Sequence, residues 1–148
     1  MRTIVAGVVV LFAVLAHVSG QAPAGSDGWQ IPEGAATESN PIPLTAAAVA
    51  RGRSLYQSKC QRCHGPDGAG RGPDADPAHP PADLTDSRRA SWNPDGVMFY
   101  KIWNGRSKPR MPAMKSDLQA ADAWMVVHYV KTLRKPVNGS SAFSRTPR

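Results

Sequence analysis

Two cysteines and a histidine in the middle of the chain have types and spacing that can hold an iron cofactor. Cys60, Cys63 and His64 form the pattern C-x-x-C-H, which is typical of a c-type haem attachment site. Cysteines three positions apart near a helix end point the same way, so both sulfurs can form thioethers with the two vinyl groups along one haem edge. The adjacent imidazole then lies under the iron as its proximal ligand. The pattern predicts one covalently bound haem c.

The same residue types also occur in redox dithiols, disulfides and zinc sites. A redox dithiol of this spacing belongs to a strand–helix–strand setting, which the sequence lacks. A zinc site needs a fourth ligand, and downstream only His79 and His128 remain to join the two cysteines and His64. The pattern therefore favours haem over these alternatives.

Iron in such a site takes a second axial ligand or keeps an open face. A polar, proline-flanked segment over residues 104–114, here called the methionine loop, carries Met111 and Met114. A methionine in a basic loop has no obvious core to fill, whereas its soft thioether favours reduced iron and raises the reduction potential. His79 and His128 offer a bis-histidine alternative, although both are expected to be surface residues.

Three helices are predicted to position these groups. The first covers residues 46–59, with Thr45 as its N-cap. Its Gly52 costs about 1 kcal/mol relative to alanine inside a helix, which indicates that another backbone passes close by.

The other two helices follow in the second half of the chain. A short helix is predicted over residues 94–103, with Asn93 as cap and Pro94 first; its inward residues are Val97, Ile102 and Trp103. The last helix is predicted from about Ser116 to Leu133, with Ser116 or Asp117 as cap. Its predicted buried stripe is Leu118, Ala121, Met125 or Val126, Tyr129 and Leu133.

Composition limits the class of protein. The chain has 148 residues with 13 Gly and 14 Pro, which predicts much loop and excludes a large multi-domain enzyme. Two cysteines exclude a disulfide-dense scaffold. A long Pro/Gly/Asp-rich loop over residues 65–91 needs something to wrap around, and a core this small favours a bound cofactor.

Four segments are predicted along the chain. Residues 1–20 are typical of a secretory signal peptide, so the protein is expected to be periplasmic or otherwise exported; an uncleaved membrane anchor is the alternative. Residues 21–43 are a Pro/Gly-rich linker or arm, expected to be mobile unless Trp29 and Ile31 dock onto the domain. Residues 44–135 form the domain, and residues 136–148 a flexible polar tail.

Taken together, these residues resemble class I cytochrome c of the small bacterial kind, over about residues 44–135. The resemblance rests on Gly52-x-x-x-Tyr56-x-x-x-Cys60-x-x-Cys63-His64-Gly65, Met111-Pro112-x-Met114, Leu118 and Tyr129-Val130. It implies an all-α fold in which three to five helices wrap around one haem c.

The resemblance also implies roles for single residues. The family's axial methionine precedes a proline and maps to Met111, with Met114 as the minor alternative. The glycine and aromatic of the first helix would cross the aromatic of the last, which would explain Gly52 and Tyr129. A proline carbonyl would orient the His64 imidazole, and Pro80 or Pro81 would supply it.

With His64 and Met111 both on the iron, no position is left for a substrate, so the sequence predicts an electron carrier and not an enzyme. One alternative is a haem c subunit of a larger periplasmic or membrane oxidoreductase complex. A second is a haem sensor or peroxidase with a labile sixth ligand. The expected partners are a redox donor and acceptor, and membrane contact is expected only if the signal segment is retained.

Charge suggests how partners dock. Lys and Arg number 18 against 11 Asp and Glu, for a net charge of +7. A basic collar is predicted near the haem edge, to steer partners with an acidic surface; the alternatives are a merely solvated basic surface or pairing of Arg106 or Lys108 with haem propionates. Nucleic acid is excluded for an exported haem protein. The collar comprises Lys59, Arg62, Arg71, Arg106, Lys108, Arg110 and Lys115.

Overall fold

The computed structural model describes residues 28–136. These residues form four α-helices and one turn of 3-10 helix, and their only β-type pairing is an isolated bridge between Arg106 and Met111. The helices are α1 (Ala46–Lys59), α2 (Gln61–His64), α3 (Asp95–Asn104) and α4 (Ala120–Thr132), with the 3-10 turn at Ser87–Ala90. The predicted all-α class is confirmed.

Parts of the predicted organisation lie outside the described residues. The predicted signal peptide, residues 1–20, the start of the arm, residues 21–27, and the tail beyond Pro136 all do so. Among the residues that are described, no helix is long and apolar enough to cross a membrane.

Helix α1 begins and ends where the sequence predicts. The Thr45 side chain accepts a hydrogen bond from the backbone N–H of Ala48 at 3.1 Å, which satisfies one of the free donors at the helix start. At the other end, the N–H of Cys60 still donates to the carbonyl of Tyr56 at 2.8 Å. The cysteine segment is therefore a direct continuation of α1.

Helices α1 and α4 cross in close contact at Gly52. A Cβ atom at this position would overlap the backbone carbonyl oxygen of Met125 and lie 3.1 Å from the Cβ of Tyr129. One turn further along α1, the rings of Tyr56 and Tyr129 meet with centroids 5.2 Å apart and planes inclined by 56°. The predicted helix crossing is confirmed.

Helix α4 begins later than predicted. Ser116 and Asp117 do not cap it, because the Met114 carbonyl accepts hydrogen bonds from the N–H groups of Asp117 and Leu118 at 2.9 and 2.8 Å and closes a separate turn there. This turn still brings Leu118 into the core, where it is buried as predicted.

The buried surface of α4 is broader than a single stripe. Ala121 is exposed, contrary to the prediction, whereas Ala123 and Trp124 are buried. The reason is that α4 packs on several sides: α1 covers one, and Phe99 of α3 stacks on Trp124 with centroids 4.1 Å apart.

Helix α3 begins at Asp95 with Pro94 as its N-cap, so the predicted cap at Asn93 is wrong. The Asn93 amide is engaged elsewhere, since it donates to the Arg89 carbonyl at 2.8 Å and accepts from the Lys101 ammonium at 2.7 Å. Of the predicted inward residues, Val97 and Ile102 are buried and Trp103 is partly buried.

The arm over residues 28–43 packs on the helices and is not the mobile segment expected. Trp29 is buried, so the docking alternative is confirmed for that residue. Asn40 donates to the Trp124 carbonyl at 2.9 Å, and the His128 Nε2 lies 2.8 Å from the Ile42 carbonyl oxygen. His128 is 5% exposed, so the prediction of a surface histidine is wrong, because the arm covers it.

Replacement of Gly52 by alanine tests the crossing. Helix propensity alone predicts a gain in stability of about 1 kcal/mol, whereas overlap with the Met125 carbonyl predicts a loss of roughly 1–3 kcal/mol. We expect a loss, measured as the free energy of unfolding of the haem-loaded protein in urea. Ala50→Gly, at an exposed position of the same helix, measures the propensity term by itself. A Gly52→Ala variant more stable than the parent would show that close contact between the two helices at this position does not contribute to stability.

Tyr56 carries a pH-dependent contribution to stability. Its buried hydroxyl donates to the Gly65 carbonyl at 2.7 Å, and burial raises the pKa of Tyr56 above its usual value. Because the folded state favours the neutral phenol, this stabilisation is complete below about pH 10 and is lost as the pH rises further. Tyr56→Phe, which leaves the Gly65 carbonyl unpaired, should cost about 1–3 kcal/mol at pH 7.

The difference in free energy of unfolding between the parent and Tyr56→Phe should become smaller above about pH 10. Only the parent has this tyrosine, which ionises on unfolding at that pH and so lowers the stability of the parent. Urea unfolding at several pH values measures it. Tyr100→Phe removes a hydroxyl from α3 and is the control. An equal deficit at every pH would contradict the role of Tyr56.

Candidate functional site

The cysteine–histidine segment is one helical turn that follows α1 directly. The N–H groups of Cys63 and His64 both donate to the Cys60 carbonyl, at 3.2 and 2.9 Å. The two cysteines, three residues apart in this turn, lie on the same side of it. They form no disulfide, and they line one cleft together with His64. The structure therefore brings the three predicted attachment residues together.

The loop after this turn is held to it by backbone hydrogen bonds. The N–H of Gly70 donates to the His64 carbonyl at 2.8 Å, and that of Gly72 donates to the Cys63 carbonyl at 3.0 Å. A Cβ at residue 72 would overlap the Arg62 carbonyl oxygen, so glycine permits the approach. These bonds fix the backbone from which the site side chains project.

The His64 ring is oriented by a different carbonyl from the one predicted. Its Nδ1 lies 3.4 Å from the Ala82 carbonyl oxygen, and neither Pro80 nor Pro81 supplies this contact. The Pro81 carbonyl oxygen instead packs against the α-carbon of Gly70, where a Cβ would overlap it. Burial lowers the pKa of His64 below its usual value, which favours the neutral imidazole that can bind a metal ion.

The methionine loop contributes to the same cleft. Gly105, at a φ of 58°, ends α3 and turns the chain, and the loop is closed by two backbone hydrogen bonds between Arg106 and Met111. These run from Arg106 N to Met111 O at 2.8 Å and from Met111 N to Arg106 O at 2.9 Å. Met111 is partly buried and lines the cleft. Met114 lines it too, but it is 9% exposed and is part of the hydrophobic core.

The other candidate ligands are placed less favourably. His79 lines the cleft, but its side chain is 63% exposed and its Nδ1 lies 3.2 Å from Asp76. His128 faces the arm and is not among the cleft residues. Met98 lines the cleft, and its sulfur accepts a hydrogen bond from Arg134 at 3.4 Å. Within residues 28–136, no group of three or more His, Cys, Asp or Glu side chains is arranged to hold a metal ion by itself.

The lining of the cleft fits haem c in three respects. Two thiols can form thioethers with the vinyl groups of haem c, and an imidazole and a methionine thioether are the groups that bind its iron in cytochromes c. Apolar side chains such as Ile102 and Val130 suit the porphyrin faces. Cationic side chains suit the two propionates, since charges in apolar surroundings need partners of opposite sign. The cations that line the cleft are Lys59, Arg89, Lys101, Arg106, Arg110 and Arg134.

Sequence reasoning missed three residues of the cleft. Trp29 and Arg134 line it from segments before α1 and after α4, and Ala82 provides the contact to His64. Burial lowers the pKa of Arg134, although a guanidinium stays protonated. Nothing in the sequence indicated that Arg134, a basic residue just past the last helix, would reach the cleft, whereas Trp29 was recognisable as an aromatic residue in an otherwise polar arm.

Six of the seven cations of the predicted basic collar fall into two groups, and the seventh, Arg106, lies over the Trp29 ring. The three cations near the attachment segment each pair with an aspartate: Lys59 with Asp117, Arg62 with Asp74 and Arg71 with Asp67. The methionine-loop cations Lys108 and Arg110, with Lys115 just after the loop, are exposed and make no ion pair with the residues that the structure describes.

Comparison with known proteins identifies the family of the chain. The sequence model of the family described as cytochrome C oxidase, cbb3-type, subunit III matches residues 47–130, more than half of the chain. A curated relative, the thiosulfate dehydrogenase of Stutzerimonas stutzeri (strain A1501), is 31% identical over 112 residues. That similarity covers 74% of this chain but only 34% of the relative, so the chain spans about a third of that protein.

Two solved structures are similar in fold. A chain of a reducing HAO-like protein complex from Kuenenia stuttgartiensis has a TM-score of 0.53 and 26% identity, covering 66% of this chain and 50% of that one. A c-type cytochrome has a TM-score of 0.50 and 25% identity, covering 57% of this chain and 98% of that one. The chain therefore belongs to the cytochrome c oxidase, cbb3-type, subunit III family, as a c-type cytochrome domain whose chemistry is electron transfer through covalently bound haem c.

Proposed function

We propose that this chain carries one haem c and acts as a one-electron carrier outside the cytoplasm, not as an enzyme. Cys60 and Cys63 would hold the haem by thioethers, and His64 and Met111 would bind its iron. The observation that carries the proposal is that one apolar cleft is lined by all four of these residues. Bound haem supplies an iron centre that exchanges single electrons without forming or breaking bonds to substrate.

Several residues around the cleft have a defined role in this proposal. The Ala82 carbonyl accepts a hydrogen bond from the His64 Nδ1–H, which would leave Nε2 free to bind the iron. The backbone pairing of Arg106 with Met111 holds the sixth ligand at the cleft. With His64 and Met111 both bound to the iron, these two side chains would keep small molecules off it. Met114 is the minor alternative as sixth ligand, and its packing in the core favours Met111.

The methionine loop is also the proposed docking surface for an acidic redox partner. Lys108, Arg110 and Lys115 are exposed there without an ion pair in the described part of the chain, so their field extends into solvent. The three cations near the attachment segment are already paired with carboxylates and contribute less to attraction at a distance. We propose that a partner approaches over the loop that holds Met111.

A second candidate function is a haem c subunit of a larger oxidoreductase. The family name refers to a subunit of an oxidase, and one structural neighbour comes from a protein complex. The thiosulfate dehydrogenase is about three times as long as the part that matches this chain. Such a subunit would use the same haem but would meet its partner permanently.

Replacement of Met111 by alanine tests the axial assignment. The oxidised parent should show the weak sulfur-to-iron band near the red end of the spectrum, and Met111→Ala should lose it and have a lower reduction potential. Met114→Ala is the matched control and should keep the band. Loss of the band in Met114→Ala but not in Met111→Ala would transfer the role to Met114. Carbon monoxide binding by the reduced parent would favour the sensor or peroxidase alternative.

Charge reversal tests the docking surface. Lys108→Glu and Arg110→Glu should slow electron transfer from reduced flavodoxin, an acidic one-electron donor, by about tenfold at low ionic strength. The effect should disappear by 1 M salt, where the Debye length has fallen from about 10 Å at 0.1 M to about 3 Å. Stopped-flow absorbance of the haem measures the rate.

Arg53→Glu makes the same charge change on the exposed face of α1 and is the control. It should change the rate less than either loop variant. Equal effects at all three positions would show that net charge, and not the methionine loop, governs the encounter. Rates that do not vary with salt would favour the permanently docked subunit.

A further inference from the structure

The arm places an aromatic ring against the methionine loop. Trp29 is 9% exposed, and two cations lie over its ring. The guanidinium carbon of Arg106 is 4.6 Å from the ring centroid, and the ammonium of Lys101 is 5.4 Å from it. Both distances are within the range of cation–π attraction, which strengthens when water is excluded. The ring therefore holds Arg106 in place from the arm side.

Arg106 is the residue to which Met111 is paired. Two backbone hydrogen bonds join these residues, and the Arg106 side chain also donates to the Pro109 carbonyl at 3.0 Å. The methionine loop is thus folded around Arg106 by three hydrogen bonds. An interaction that holds the Arg106 guanidinium therefore also restrains the backbone of Met111. Arg106 is the single residue that links Trp29 to the proposed sixth ligand.

The arm that carries Trp29 is itself anchored to the helices. The Gly96 N–H at the start of α3 donates to the Glu38 carbonyl at 3.1 Å. At Gly96 a Cβ atom would overlap the Ala35 carbonyl oxygen and lie 2.6 Å from the Cβ of Glu38. Further along, Asn40 is bonded to the Trp124 carbonyl. Trp29 is therefore presented to the loop by a fixed segment and not by a free chain end.

We infer that Trp29 is a positioning residue for the sixth iron ligand: the arm, through Trp29 and Arg106, holds the methionine loop in the position that keeps Met111 on the iron. The inference rests on the proposed axial role of Met111. The arm lies outside the residues matched by the family, 47–130. Without the arm, the loop would exchange between a bound and a released position, and an external ligand could compete with the thioether.

The experiment uses the haem-loaded full chain and two optical readouts. These are the sulfur-to-iron band of the oxidised protein and the binding of carbon monoxide to the reduced protein. Trp29→Ala should weaken the band and raise carbon monoxide affinity by about tenfold, which corresponds to about 1.4 kcal/mol and to the strength of a partly desolvated cation–π contact. Trp29→Phe, which keeps an aromatic face, should restore most of the parent behaviour. A merely structural role for Trp29 would lower the unfolding free energy without moving either readout.

Two further variants make the test specific. Trp92→Ala removes a tryptophan that is 50% exposed and does not line the cleft, so it should leave both readouts unchanged. Gly96→Ala displaces the arm without changing Trp29 or the methionine loop, and it should act in the same direction as Trp29→Ala. Helix content measured by circular dichroism establishes that each variant is folded.

The outcomes separate this inference from the proposed function. A parent that shows the band, with loss in Met111→Ala but parent-like behaviour in both Trp29→Ala and Gly96→Ala, would overturn the inference and leave the axial assignment intact. A parent without the band would overturn both. If Trp29→Ala does not fold, Gly96→Ala decides, and an unchanged band and carbon monoxide affinity in that variant would overturn the inference.

Discussion

The close contact between α1 and α4 at Gly52 is the constraint on which the haem-binding part of the molecule depends. Because no side chain stands between the two backbones, Tyr56 packs against Tyr129 and directs its hydroxyl to the Gly65 carbonyl. That carbonyl immediately follows His64. Helix packing supplies most of the stabilisation through burial of apolar surface. The buried hydrogen bond from Tyr56 to Gly65 fixes the position of the Gly65 backbone relative to α1. A change at the crossing would therefore shift the backbone next to His64, the proposed iron ligand.

Beyond the helices, order in this loop-rich chain comes from backbone hydrogen bonds to the attachment segment. The N–H groups of Gly70, Gly72 and Asp74 donate to the carbonyls of His64, Cys63 and Arg62. A loop that satisfies its polar backbone groups in this way can stay ordered without helix or strand. The glycines matter because a Cβ at either position would overlap a carbonyl oxygen of the neighbouring segment. The loop that follows His64 therefore packs on the attachment segment through its own backbone, independently of the cofactor.

Charge and packing assign different tasks to the two segments that line the cleft. The attachment segment is electrostatically satisfied, since each of its cations has an aspartate. The methionine loop keeps exposed cations on its outside and is held from the inside by Trp29. One loop therefore combines the proposed sixth ligand, the proposed docking surface and the contact with the arm. A partner that binds there would approach the haem over the segment that carries the proposed sixth ligand.

The sequence alone determined the attachment pattern at Cys60, Cys63 and His64, the bounds of α1 and the glycine at the helix crossing, because these follow from residue type and spacing over a few positions. It also indicated Met111, which remains a prediction. Tertiary structure decided that Ala82 and not a proline contacts His64, that His128 is buried, that α4 begins only at Ala120, and that Trp29 reaches the cleft. The physical reason is separation along the chain. Capping and periodicity act over three or four residues, whereas His64 and Ala82 are 18 residues apart and His128 and Ile42 are 86 apart, so only the folded chain brings their atoms together.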